Sequence, residues 1–164
     1  MNQDLSCFEY EIIEECGTGS LGEQIFLGLD PNLNQQVMIR MLPVSMTFDS
    51  ETVHRFMQGA KLNASLHHQN ILPAYIAGEE NGDLFLITRF EKGLFLNEYL
   101  KKNGVMEMEK AASMILAIAD ALNYAWESKK IIHRNLSPET ILISYDGRPM
   151  LTDFGIAKSK SAGL

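Results

Sequence analysis

Three glycines, Gly17, Gly19 and Gly22, stand in a G-x-G-x-x-G pattern near the start of the chain. Glycine permits a sharp turn and lets backbone N–H groups approach an anion closely, so a phosphate cradle is one reading of this segment. A plain β-hairpin turn is the other. A dinucleotide-binding loop is excluded, because the β-favouring stretch Ile25–Leu29, and not a helix, follows Gly22. Cys7 and Cys16 lack C-x-x-C spacing and a matching histidine cluster, which argues against zinc and against a disulfide framework, and His54, His67 and His68 lack ligand spacing. Phosphate chemistry is therefore the strongest catalytic signal in the first half.

The elements around the glycines read as an antiparallel meander: Tyr10–Ile13, the glycine cluster, Ile25–Leu29, the turn Asp30–Pro31–Asn32 and Val37–Leu42. Val53, Phe56, Met57, Ala60 and Ala64 are spaced for a helix from Asp49–Ser50 to His67, with Asp49 or Ser50 as N-cap. Ile71–Ala77 and Leu84–Phe90 flank Asn81–Gly82, a strong hairpin signal, which brings the sheet to about five strands. After Gly93 the texture becomes helical, over Leu94–Lys102 and Glu107–Ser128, and a short hairpin follows from Ile141–Ile143 to Met150–Thr152. The expected organisation is a short N-terminal extension (1–7), a β-rich lobe (8–92) and a helical lobe (93–164), with a ligand cleft at the linker near Glu91–Leu94.

With 164 residues, 46% of them apolar, the chain can bury a real core. A formal charge of −7 and a pI near 5.1, without a long Lys/Arg run, argue against non-specific binding to nucleic acid or anionic lipid. The N-terminus has no basic start or apolar h-region, and Ser113, Asp120 and Asn123 interrupt the longest apolar helix, so no membrane span is expected within this sequence. A cytoplasmic chain with reduced thiols is the expectation.

Three signatures occur in a telling order: the glycine pattern, His133–Arg134–Asn135–Leu136–Ser137–Pro138–Glu139–Thr140, and Asp153–Phe154–Gly155. With Val37–Met38–Ile39–Arg40 between them, the chain resembles the eukaryotic-type serine/threonine protein kinases, and Ile131–Lys158 resembles bacterial members of that family. The resemblance implies an α+β, two-lobed fold with a five-stranded antiparallel N-lobe sheet and one helix, followed by the first helical part of the C-lobe. It also implies an ATP and Mg²⁺ site, built here from Gly17, Gly19, Gly22, Ile25, Met38, Arg40 and Asp153, with Asp153 as the metal ligand.

Against that family's pattern, several positions depart. Arg40 replaces the lysine that holds the α- and β-phosphates, and a planar fork does not fit the slot of a point ammonium. Gly59 stands where the family has the glutamate that pairs with that lysine, and Asn63 replaces an apolar position on the same helix. Asn135 replaces the catalytic aspartate; an amide orients a hydroxyl but cannot take its proton at neutral pH. Ser137 replaces a lysine and Thr140 the metal-binding asparagine, while Met38 replaces a small alanine against adenine. From Gly22 to Arg40 there are 18 positions, one more than in close relatives, with the extra residue placed near Gln24, where it would bulge the lid.

The resemblance thus implies a pseudokinase with weak or absent ATP binding that acts through protein contacts. A slow serine/threonine kinase and a truncated, non-functional remnant are the alternatives. The sequence ends nine residues after Gly155, before the family's substrate-binding helices, so the apolar side of Glu107–Ser128 is expected to be exposed unless a protein partner or a second copy covers it, or the chain is a fragment.

Overall fold

The computed structural model describes residues 6–7, 9–19, 21–154 and 158–159. Residues 1–5, Phe8, Ser20, residues 155–157 and the final residues 160–164 lie outside the described residues, and with them the last glycine of the Asp153–Phe154–Gly155 run.

Six antiparallel strands form the first sheet, in the order β1-β2-β3-β4-β6-β5. The expected five are β2 (Tyr10–Thr18), β3 (Gln24–Asp30), β4 (Gln35–Leu42), β5 (Ala74–Glu80) and β6 (Asp83–Arg89), with the two-residue β1 (Ser6–Cys7) added at the edge. Strand β6 is flanked on both sides and reads as an almost continuous buried run, Leu84–Thr88, as a central strand should. Asn81 and Gly82 both have positive φ (52° and 89°), the backbone of the tight turn that joins β5 to β6. Strand β5 begins at Ala74 rather than at Ile71, because Pro73 has no N–H to give to a ladder. Ile71 and Leu72 instead tie this sheet to the second half, where the Leu72 amide donates to the Leu151 carbonyl at 2.9 Å.

The helix α1 (Ser50–Ala64) is capped by Asp49, whose carboxylate accepts from the Glu51 amide. It buries Phe56 and Ala60 against Leu42, Leu84 and Leu86. It stops at Ala64, short of His67, because the Ser65 hydroxyl and amide both turn back onto the Leu62 carbonyl.

A short strand, β7 (Gly93–Phe95), leads into α2 (Leu96–Asn103) and α3 (Met108–Lys129). β8 (Ile131–Ile132), the hairpin β9 (Ile141–Ser144) and β10 (Pro149–Leu151), and β11 (Lys158–Ser159) complete the chain. β7 pairs with β9, and the approach is so close that a Cβ at Gly93 would fall 2.2 Å from the Ile143 carbonyl oxygen. α3 buries Ile118, Ala121 and Ala125 against Leu66, Ile131, Leu151 and Phe154, so the second core runs from α1's end to the last hairpin. Among the described residues, no helix is long and apolar enough to cross a membrane.

Candidate functional site

The cleft between the first sheet and the β9–β10 region has a volume of about 640 Å³. Gly19, Ile25, Met38, Arg40, Asn135 and Asp153 line it, as do Asn63, Thr88, Ser137 and Thr140. Gly17 and Gly22 are not on its wall: a Cβ on Gly22 would meet Met46 on the far side of the loop. A second groove, of about 730 Å³, lies between α2, α3 and the β9–β10 hairpin, but none of the residues selected from the sequence reaches it.

Arg40 projects from β4 at the centre of the cleft. One arm of its guanidinium donates to Asp153 Oδ1 at 3.1 Å and the other to Glu23 Oε1. A planar fork can serve two carboxylates on different elements, which a single ammonium would do less well, and this is the physical case for arginine here. Glu23 was not singled out from the sequence. It is almost wholly buried (2% exposed), and its second oxygen accepts from the Leu21 amide at 2.9 Å. The one available signal was the extra residue between Gly22 and Arg40. The lid is irregular beside Gln24, but on the facing strand: β3 and β4 pair without a shift from Gln24–Met41 to Asp30–Gln35, while β2 shifts register opposite Ile25 and Phe26. The irregularities lie in β2, between Ile12 and Glu14 and between Glu15 and Gly17. Glu23 turns inward from the loop. Glu23, Arg40 and Gly59 line one residual gap of only about 10 Å³, so the carboxylate that pairs with Arg40 beside α1 comes from the glycine loop.

On the opposite wall, Asp153 sits in left-handed backbone (φ 57°), which aspartate tolerates better than most residues, and Arg134 does the same at φ 66°. The Asn135 side-chain amide donates to Asp153 Oδ2 at 3.0 Å. Thr140 is buried, and its hydroxyl accepts from the Ser137 amide and donates back to the Asn135 or Ser137 carbonyl, locking the loop closed on itself. His133 is also buried. Its Nε2–H donates to the Thr152 carbonyl at 2.7 Å, and its ring meets Phe154 edge-on at 4.6 Å. Burial pushes its pKa below the ordinary histidine value, partly offset by the Thr152 bond and the Asp153 charge; with Nε2 bonded to Thr152 and Nδ1 accepting from the Asn135 amide, both ring nitrogens are engaged, as in a packing residue.

Residues 10–163 match the family description "Protein kinase domain". The chain belongs to the protein kinase family. It is 32% identical over 153 residues to the serine/threonine-protein kinase PrkC of Bacillus subtilis, covering 93% of this chain and 23% of that one. It is 35% identical over 155 residues to the serine/threonine-protein kinase PknF of Mycobacterium tuberculosis, covering 90% of this chain and 32% of that one. The chain thus spans 23% and 32% of the length of these two kinases. Its fold matches the crystal structure of the Mycobacterium tuberculosis PknI kinase domain with a TM-score of 0.80 over 96% of this chain and 62% of that domain, at 23% identity. The likeness to that kinase domain establishes the α+β, kinase-like architecture.

Kinases of this kind use ATP and Mg²⁺, and the cleft can be tested for both. Its volume and its walls of Ile25, Met38 and Leu142 suit a flat heterocycle. The phosphate end does not fit. The Gly19 amide donates to the Glu23 carbonyl, the Leu21 amide to the Glu23 carboxylate and the Gly22 amide to the Gly19 carbonyl, so these three loop donors are already engaged. Arg40 is held by two carboxylates, Asp153 is the carboxylate on the far wall, and the Thr140 hydroxyl is bonded to loop backbone groups at Asn135 and Ser137. Among the described residues there is no group of three or more His, Cys, Asp or Glu side chains that could hold a metal ion.

Proposed function

We propose that the chain is a pseudokinase: a protein kinase-like, non-catalytic module with weak or absent binding of ATP and Mg²⁺ that acts through protein contacts. The observation that carries this reading is the Asn135–Asp153 hydrogen bond. At the position that should remove a proton from an attacking hydroxyl, the side chain is donating one, and it donates to the carboxylate that should face the metal. Loss of such a base is worth about 10²–10⁴ in rate by itself. Arg40 directs one N–H of each arm to a carboxylate, Asp153 and Glu23, and so is held by protein anions at the position from which a transferring phosphoryl group would be contacted.

The contacts through which it acts are placed on α3, where Met108, Ile115 and Leu116 are exposed, with a protein partner or a second copy of the chain as the occupant. The reading is tested by a phosphotransfer assay of the purified chain with Mg²⁺–ATP and a generic protein substrate, beside Asp153→Ala. No transfer above the Asp153→Ala background is expected. Transfer that Asp153→Ala abolishes would establish a slow serine/threonine kinase and overturn the proposal.

A further inference from the structure

Among the described residues, two buried side-chain atoms lack a hydrogen-bond partner, Asn63 Oδ1 and Arg89 Nε, and both residues line the cleft. Arg89 is anchored elsewhere, on Glu91 at the linker. Asn63 is not: it is 4% exposed in the last turn of α1, and among the described residues its Nδ2 donates to no group either. Folded chains seldom keep a buried amide in that state, and the positions where they do are characteristically functional. The neighbours of Asn63 place it at the inner end of the cleft. Ala60, three residues earlier on α1, packs on Leu86, and Leu86 and Thr88 lie on one face of β6, stepping toward the linker. Their cross-strand partners are Arg40 and Met38. The slot for a flat ring, between Ile25, Met38 and Leu142, therefore meets the inner end at Thr88, whose side chain is short.

We propose that the inner end of the cleft is a subsite for an uncharged carboxamide carried on an aromatic ring, and that Asn63 is the residue that binds it. An asparagine side chain offers one carbonyl acceptor and an NH₂ donor, and a ligand amide is its complement: the ligand N–H donates to Oδ1, and the ligand carbonyl accepts from Nδ2. Both unmet groups of Asn63 are then satisfied by one ligand group. An ammonium could also donate to Oδ1, but stripping a charge of water at so buried a point is far more costly than burying an amide. The ring lies in the slot beside Met38, and about 640 Å³ holds a ring and its amide with room to spare. This goes beyond the pseudokinase reading and is independent of it, because no step of phosphate transfer enters.

The test is an NMR titration of the full ¹⁵N-labelled chain, wild type and Asn63→Leu, with benzamide and with acetophenone. Acetophenone has nearly the same shape and keeps the carbonyl, but a methyl group replaces the NH₂, so it cannot donate to Oδ1. Wild type is expected to bind benzamide at least about fivefold more tightly than acetophenone, with the Asn63 side-chain NH₂ resonance shifting as benzamide is added. In Asn63→Leu the two probes should bind within about twofold of each other. A wild type that binds no benzamide at millimolar concentration, or that binds both probes alike, overturns the proposal and leaves the Asn63 oxygen to water. An Asn63→Leu chain that keeps the fivefold preference overturns it too, by moving the amide contact to another residue. Should that variant not fold, the wild-type pair and the Asn63 resonance decide. Phosphotransfer in the assay above would remove the pseudokinase reading and leave this inference standing, whereas equal binding of the two probes would remove this inference alone.

Discussion

Asn135 donates to Asp153 across 3.0 Å, and the pair behaves well because only one member carries charge. Restoring the carboxylate with Asn135→Asp would set two anions at that distance, and like charges so close cannot both stay ionised without cost. The expected result is no recovery of phosphotransfer, and a loss of about 1–3 kcal/mol in unfolding free energy at pH 7. Repulsion raises the folded-state carboxyl pKa, so the loss should shrink as pH falls toward 5 and one proton is shared. Urea unfolding at the two pH values reads this directly, and a variant as stable as wild type at pH 7 would show that the two groups are further apart than described. His133 has the opposite sign of interest. Its folded pKa lies below the ordinary histidine value, chiefly through burial, so the unfolded chain takes up its proton first as the solution is acidified. Its contribution is complete above the ordinary histidine range and declines as pH falls through about 6.5 toward the folded pKa. Between pH 7.5 and 5.5, wild type should lose more stability than His133→Gln, measured by the same urea curves. What could be read in advance at this scale was the set of replaced groups, Arg40, Asn135 and Thr140, because each is a substitution at a motif position. Glu23 escaped notice because one acidic residue among many has no signature of its own, and only the fold shows that it points inward.

The helix α1 illustrates how an element can be legible in outline and altered at the working positions. Its apolar spacing and its Asp49 cap were plain in the sequence, since both follow from local periodicity and a hydrogen bond two residues long. Its last turn was not, because the Ser65 hydroxyl competes for the Leu62 carbonyl, a choice that spacing does not encode. The strand limits moved for a similar reason at Pro73, and the irregularity expected near Gln24 falls on the facing strand, between Glu15 and Gly17. On the inner face of α1, Asn63 is 4% exposed, lines the cleft and leaves its side-chain carbonyl oxygen without a hydrogen-bond partner. A buried acceptor in that state costs about 1–3 kcal/mol against an apolar side chain of the same shape. Asn63→Leu should therefore stabilise the chain by about 1 kcal/mol or more in denaturant unfolding. A loss of stability would mean that the amide is satisfied in solution, by water or by a ligand that copurifies with the chain.

At the scale of the whole molecule, the question is what the first part of a kinase-like C-lobe does with a helix whose apolar stripe is wider than its buried one. α3 buries Ile118, Ala121 and Ala125 in the core, while Ile115 and Leu116 remain 63% and 70% exposed and Met108 84%. Scattered apolar residues on a surface need no explanation, but three on one helix favour association with a second apolar surface. The wild-type chain should accordingly self-associate, with a sedimentation coefficient that rises with concentration. Leu116→Lys should hold it at the monomer value. Because Leu116 is exposed, the substitution should leave unfolding free energy within about 0.5 kcal/mol of wild type, which separates loss of a contact surface from loss of the fold. A wild type that sediments as a monomer at every concentration would exclude a second copy as the occupant of this face and direct the search to a different protein partner. A Leu116→Lys chain that still associates would move the interface elsewhere on the molecule.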